Sequence, residues 1–299
     1  MQKRIRAGLV AGALAVTLIL SGCGASNSGQ GHDQGEGSGE KGKITFGMFS
    51  FDELIAITNL WSVILEDKGY DVEIKTADKA PVFVGLSDGA YDAVLSVWSE
   101  ADSMYIDRYG DDMVDLGSWN DEASLTVAVN ADAPVDSLED LAAHASEFDD
   151  KLVGIEAGAA LTSIVEKKVI PEYGLEDMDF LKSSTPAMLA ELKRAMSSEE
   201  PIAVTLWRPH WAYGAYDLKD LKDSAGALGE EDSMNVFGSQ DIESKHPEVA
   251  EWLGDFTMET AMLHGLENQL FNKNDTDDYE PIVREWMSNN QEYVDSLTG

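Results

Sequence analysis

Apolar and polar positions alternate along Lys43–Phe49 (Lys-Ile-Thr-Phe-Gly-Met-Phe), the period of a half-buried strand. The spacing then becomes helical, with Ile57, Leu60, Trp61 and Ile64 on one face of a predicted helix over Asp52–Lys68 that Gly69 ends in the C′ position. A second strand is predicted over Tyr70–Thr76, a short helix over Pro81–Ser87, and a third strand over Tyr91–Trp98. Ser124–Val129 reads as a further strand, and Ser137 opens a helix with Glu139 and Asp140 in its first turn. A second unit follows: strand Lys151–Glu156, a turn over Ala157–Ala160, a helix to about Tyr173, and strand Asp179–Lys182. Its next helix takes Thr185 as N-cap and Pro186 at N1, with Met188, Leu189, Leu192 and Met196 as the buried stripe. The β-branched run that opens Pro201–Tyr216 is a buried strand, and beyond about Asn235 the chain reads as helices over Pro247–Phe256, Met258–Phe271 and Tyr279–Leu297. Two alternating units of this kind predict an α/β fold of two lobes. Lobe 1 is expected at 43–128 and 237–299, the last helices packing back on it, and lobe 2 at 129–236.

The ends of the chain carry other information. Residues 1–22 combine Lys3, Arg4 and Arg6 with an apolar run to Leu20 and small residues, the make-up of a secretory signal. Leu20-Ser-Gly-Cys23 resembles the lipobox of bacterial lipoproteins, which implies that Cys23 is lipidated and becomes the mature N-terminus. Cys23 is the 1 cysteine of the chain, so no intramolecular disulfide forms. Residues 23–42, rich in Gly, Ser, Gln and Asp, bury too little apolar surface to offset their ordering entropy and read as a tether. A net charge of −35 argues against nucleic acid and anionic lipid surfaces as partners.

The densest candidate chemistry is Trp207-Arg-Pro-His-Trp211-Ala-Tyr-Gly-Ala-Tyr216. Trp207 and Trp211, spaced i and i+4, fit either the packing face of a short helix or a binding site, since ligands of open α/β sheets sit outside the carboxyl ends of strands. Phe51, Trp98 and Trp207 each follow or end a strand, and ring faces of this kind attract a quaternary ammonium group that cannot be hydrogen-bonded. The turn Gly158-Ala159-Ala160, opening a helix, points free N–H groups at an anion. Together these describe a zwitterion site. The 5 histidines are scattered, and there is no nucleophile elbow, phosphate loop or His-x-x-x-His. Nothing calls for a metal, a cofactor or a catalytic residue.

From Lys43 onward the chain resembles the glycine betaine/proline betaine-binding proteins of ABC importers. The resemblance rests on Glu66-Asp-Lys-Gly-Tyr70, Val97-Trp98, Gly154-Ile-Glu-Ala-Gly158, Ser183-Ser-Thr-Pro-Ala-Met188 and Trp207-x-Pro-His-Trp211. It implies a two-lobed periplasmic-binding-protein fold with the ligand in the cleft between lobes. It also implies a cage of Trp98 and Trp207 with Phe51 in place of a third tryptophan, and a ligand carboxylate held by the backbone N–H groups of Ala160 and Leu161. Ser103 stands where the family usually has a histidine, and Arg208 where it has a small polar residue. Arg208 is therefore open to two readings, a replacement positive charge or a solvated side chain. The implied partners are a small quaternary-ammonium ligand, a permease and ATPase in the membrane, and the membrane itself through the lipid anchor. The protein is expected to be monomeric and extracytoplasmic. Two rivals stay open: Glu100 and Asp102 favouring a pure cation such as choline, or an enzyme acting on a small zwitterion. Trp61, Trp119, Trp252, Trp286 and His210 read as packing residues.

Overall fold

The chain is described by a computed structural model covering residues 41–274 and 276–299. The secretory signal, Cys23 and nearly all of the tether lie outside the described residues. Nine strands form the sheet: β1 (Lys43–Met48), β2 (Asp71–Thr76), β3 (Ala93–Trp98), β4 (Met113–Asn130), β5 (Lys151–Gly154), β6 (Asp179–Lys182), β7 (Ala203–Arg208), β8 (Leu218–Asp220) and β9 (Asp232–Ser239). Their order is β2-β1-β3-β9-β4-β7-β5-β6, with β8 also on β4. β1 is parallel to β2 and β3, and β5 is parallel to β6 and β7, as crossover helices require.

The two halves of the sheet meet in β4. From Met113 to Ala123 it pairs with β9, and from Ser124 it pairs antiparallel with β7 and β8. Only the second part was visible as a strand in the sequence. The first part, Met113-Val-Asp-Leu-Gly-Ser-Trp-Asn-Asp-Glu-Ala123, is acidic and its pairing is interrupted by three register shifts, so no period survives. β9 corrects the all-helical reading of the C-terminal region. Its buried Asn235 donates to both carboxylate oxygens of Asp115, at 3.0 and 3.1 Å, so the strand holds a polar side chain in the sheet through a partner far off in sequence.

Local chemistry accounts for the helix ends. The helix Asp52–Asp67 closes in a Schellman motif: the N–H of Tyr70 reaches the carbonyl of Leu65 and that of Gly69 reaches Glu66, with Gly69 at φ +93°. In the helix Thr185–Ser198 the N-cap is Ser184, whose hydroxyl accepts from the N–H of Ala187, rather than Thr185. The hydroxyl of Thr185 is spent on Glu156 at 2.9 Å, which ties this helix to the end of β5. Met188 and Leu192 are buried as expected, whereas Leu189 and Met196 are half-buried.

The C-terminal helices cover the first half of the sheet. Trp61 meets Phe256 edge-on at 5.5 Å, Phe256 lies on Trp119, and Arg284 pairs with Asp67 at 2.9 Å. Trp61, Trp119 and Trp286 are buried packing residues. Among the described residues no helix is long and apolar enough to cross a membrane.

Candidate ligand-binding site

The turn after β1 places Phe51 as N-cap of the helix Asp52–Asp67, with Asp52 and Glu53 as its first two residues. Carboxylates suit this end of a helix, where N–H groups lack partners and the macrodipole is positive. Here both are also buried, because the helix end points at the carboxyl edge of the sheet. Glu53 accepts the indole N–H of Trp98 at 3.2 Å on one oxygen and that of Trp207 at 3.0 Å on the other. Asp52 accepts the indole N–H of Trp211 at 2.5 Å. Tryptophans from the ends of β3 and β7 and from the turn beyond β7 are therefore hung on one turn of helix.

Burial raises both carboxyl groups to about 7. The bond from Trp211 draws Asp52 back toward ionisation, and for Glu53 the backbone N–H, Trp98, Lys79 and Trp207 do the same. His210 lies beneath them, fully buried and pushed down to about 3 by that burial. It is neutral; its Nδ1 accepts from the N–H of Ala212 at 3.1 Å, which leaves the proton on Nε2, 3.5 Å from Asp52. His210 is thus a structural residue of its turn. Among the described residues neither oxygen of Glu267, also fully buried, has a partner at hydrogen-bond distance, although the nearby Trp211 backbone favours its charge weakly. Burial, then the charges of Asp52 and Glu53, raise it well above the usual carboxylate range.

Above this acidic floor, five of the seven expected binding residues line one cavity: Phe51, Trp98, Trp207, Ala160 and Leu161. Lys79 joins them, and Ala101, Leu125 and Ile155 close the rest. The enclosed space, about 20 Å³ for the centre of a water-sized sphere, has room for about one water. Phe51 leans on Trp207 with ring centroids 5.1 Å apart. Ala160 and Leu161 begin the helix Ala160–Ile164, after Ala159 as N-cap, so their N–H groups have no intrahelical acceptor. Tyr105, from the first half of the molecule, donates its hydroxyl to the carbonyl of Gly158 at 3.3 Å.

Ser103 and Arg208 lie outside this lining. Ser103 is exposed at the start of the helix Ser103–Tyr109. Arg208 follows Trp207 on a strand, so its side chain leaves by the opposite face. There it pairs with Asp220 at 2.6 Å and sits 3.5 Å over the ring of Tyr213, neither wholly solvated nor near the cage. Glu100 is exposed, and Asp102 is buried but paired with Lys79 at 2.7 Å. Sequence reasoning missed Glu53, Asp52, Lys79 and Glu267. The one local signal was the Asp52-Glu53 pair opening an otherwise apolar helix, a signal diluted by 56 acidic residues.

This is the fold of the two-lobed periplasmic binding proteins, with aromatic rings and a helix N-terminus facing one cavity. Residues 42–289 match the substrate binding domain of ABC-type glycine betaine transport systems, and the chain belongs to that family. It is 25% identical to lactococcal OpuAC in a closed-liganded conformation complexed with glycine betaine, with a TM-score of 0.79 over 86% of this chain and 99% of that one. It is 26% identical to the glycine/betaine/L-proline-binding protein (ProX) of Borrelia burgdorferi, again with a TM-score of 0.79, over 86% and 97% of the two chains. A curated relative, the glycine betaine/carnitine transport binding protein GbuC of Listeria monocytogenes, is 30% identical over 168 residues, 56% of this chain. The match spans about half (54%) of the length of that relative.

The unpartnered Glu267 gives a pH prediction. A carboxyl whose folded pKa is raised contributes stability that is fully present below its unfolded value, 4.5, and is lost as pH rises through the folded value. Glu267→Gln removes the charge and keeps the shape. Urea unfolding should find the variant close to wild type at pH 4.5 and more stable by about 1–3 kcal/mol at pH 8. A variant less stable than wild type at pH 8 would mean that the ionised carboxylate has a favourable partner.

Proposed function

We propose that the protein is the substrate-binding subunit of an ABC importer and that its ligand is a compatible solute, glycine betaine or proline betaine. The observation that carries this reading is a single cavity lined by aromatic rings together with the first N–H groups of a helix. A quaternary ammonium group sits against the indole faces of Trp98 and Trp207 with Phe51 closing the third side. The carboxylate of the same molecule meets the N–H groups of Ala160 and Leu161. The ligands for which the relatives are named, glycine betaine above all, point the same way.

Binding is a hinge motion between lobes, taken as the two halves of the sheet joined through β4. The cavity is too small to admit a betaine as it stands, so entry requires the halves to part. Parting breaks the bonds of Glu53 to Trp207, Asp52 to Trp211 and Tyr105 to Gly158, and closure remakes them around the ligand. The closed form is what the permease and its ATPase receive. Cys23, lipidated after removal of residues 1–22, holds the monomeric globule at the outer face of the membrane through its tether.

Choline or another quaternary amine is the competing ligand. A bare cation favours a site with an unpaired carboxylate on its wall, and neither Glu100 nor Asp102 supplies one. An enzymatic role has no comparable support.

Titrating tryptophan fluorescence with glycine betaine, proline betaine, carnitine and choline tests the ligand class. Both betaines should bind more tightly than choline. Trp207→Ala should weaken betaine binding at least several-fold, the loss of a cation–π contact worth about 0.5–2 kcal/mol plus packing, whereas Arg208→Ala should leave it unchanged. A folded Trp207→Ala variant with wild-type affinity removes the cage from the account. For the anchor, Cys23→Ser should give soluble or unprocessed protein; wild-type protein free in the medium and without an acyl group would contradict lipidation.

A further inference from the structure

We propose that Lys79 takes the anionic end of the ligand and thereby makes the site select a zwitterion over a bare cation, a proposal that rests on reading the cavity as a quaternary-ammonium site. Lys79 is 6% exposed and is the first residue of the helix Lys79–Ser87. A cation in a first turn opposes the helix dipole, and a buried ammonium forfeits its hydration. As a stabilising device the arrangement is poor, because a buried ion pair is rarely worth more than an apolar pair of the same volume. Its position in the binding cavity gives it another use.

Among the described residues the ammonium donates to one acceptor, Oδ1 of Asp102 at 2.7 Å. The other oxygen of Asp102 accepts the backbone N–H of Trp98 at 3.2 Å, so the charge is held in fixed relation to a cage tryptophan. An ammonium has three donors, and two of these remain. The nitrogen lies 4.4 Å from the ring centroid of Phe51 and 4.7 Å from that of Phe49.

That first distance is one at which a cation binds a ring face. Lys79 is thus held against the rings of Phe49 and Phe51, and the indoles of Trp98 and Trp207 are the main faces for the ligand's cation, with Phe51 beside them. Lys79, the indoles and the N–H groups of Ala160 and Leu161 line one cavity, so halves that close on a small molecule there bring all of them to it. A carboxylate there meets the free donors of Lys79 together with the N–H groups of Ala160 and Leu161. Choline meets the same donors with no carboxylate to accept them, so they stay unpaired in its complex. Lys79 thus supplies the side-chain donor that Ser103, exposed and outside the cavity, does not.

The test is the ratio of glycine betaine to choline dissociation constants, by tryptophan fluorescence, for wild type, Lys79→Met and the double variant Lys79→Met/Asp102→Asn. The double variant removes both charges and so avoids leaving Asp102 buried and unpaired. Betaine binding should weaken about tenfold to a hundredfold in both variants, the loss of a charge-assisted contact, while choline binding holds or tightens. Equal losses for both ligands, or a double variant that keeps the wild-type ratio, would overturn the role of Lys79 and leave the cavity reading intact. Wild-type protein that binds neither ligand would overturn both.

Discussion

A buried indole N–H is costly without an acceptor, and in this molecule a single carboxylate serves two of them. Glu53 takes Trp98 on one oxygen and Trp207 on the other, and these tryptophans end strands in different halves of the sheet. Turning either ring away leaves a donor and part of a buried acid unpaired, each costing about 1–3 kcal/mol. The spacing of the two indole faces is therefore set by the reach of one side chain. Asp52 repeats the device one residue earlier and fixes Trp211, so the whole segment from Trp207 to Trp211 depends on the first turn of the helix Asp52–Asp67. The bonds of Glu53 to Trp207 and of Asp52 to Trp211 cross between the two halves, so in the proposed hinge motion the order of these rings and the closure of the halves come together.

Such a carboxylate is costly to bury, and its surroundings show how the cost is limited. It stands at a helix N-terminus, with Lys79 close enough to favour its ionised form. The Lys79–Asp102 pair adds no net charge to the wall of the cavity. Glu267 enjoys no such company, and the charges of Asp52 and Glu53 raise it further. The acids beneath these rings thus form a graded set, two raised to about 7 and a third raised well above the usual carboxylate range. Burial is the cause in every case, and the hydrogen bonds decide the order.

How much of this was legible in the sequence follows from how local each cause is. Asp179–Lys182 was predicted to its observed ends, and the helix closed by Gly69 was recognised, because periodicity and a C′ glycine act within a few residues. β9 and the first part of β4 were invisible because their polar side chains are satisfied by partners far off in sequence, as Asn235 is by Asp115 and Asn120 by Thr260. Thr185 was mistaken for an N-cap because its hydroxyl is claimed by Glu156, a contact 29 residues away. That Phe51, Trp98 and Trp207 line one cavity was legible, since all three lie at strand ends, which in an α/β sheet share one edge. Arg208 drew attention by adjacency to Trp207, yet strand alternation sends neighbouring side chains to opposite faces. Which of many acids goes underneath these rings is a matter of tertiary packing, so Glu267 carried no sequence signal and Glu53 only the weak one of an acidic pair opening an apolar helix.

The dependence of Trp98 and Trp207 on Glu53 is tested most directly by following the indole N–H resonances of the closed, glycine betaine-saturated protein against pH. With Trp98 and Trp207 assigned by substitution, their two signals should move together through one apparent midpoint near 7, and Glu53→Gln should abolish that shared transition while leaving the Trp211 signal responsive to Asp52. Two indole signals that titrate independently, or that keep their pH response in Glu53→Gln, would contradict a cage held by one carboxylate.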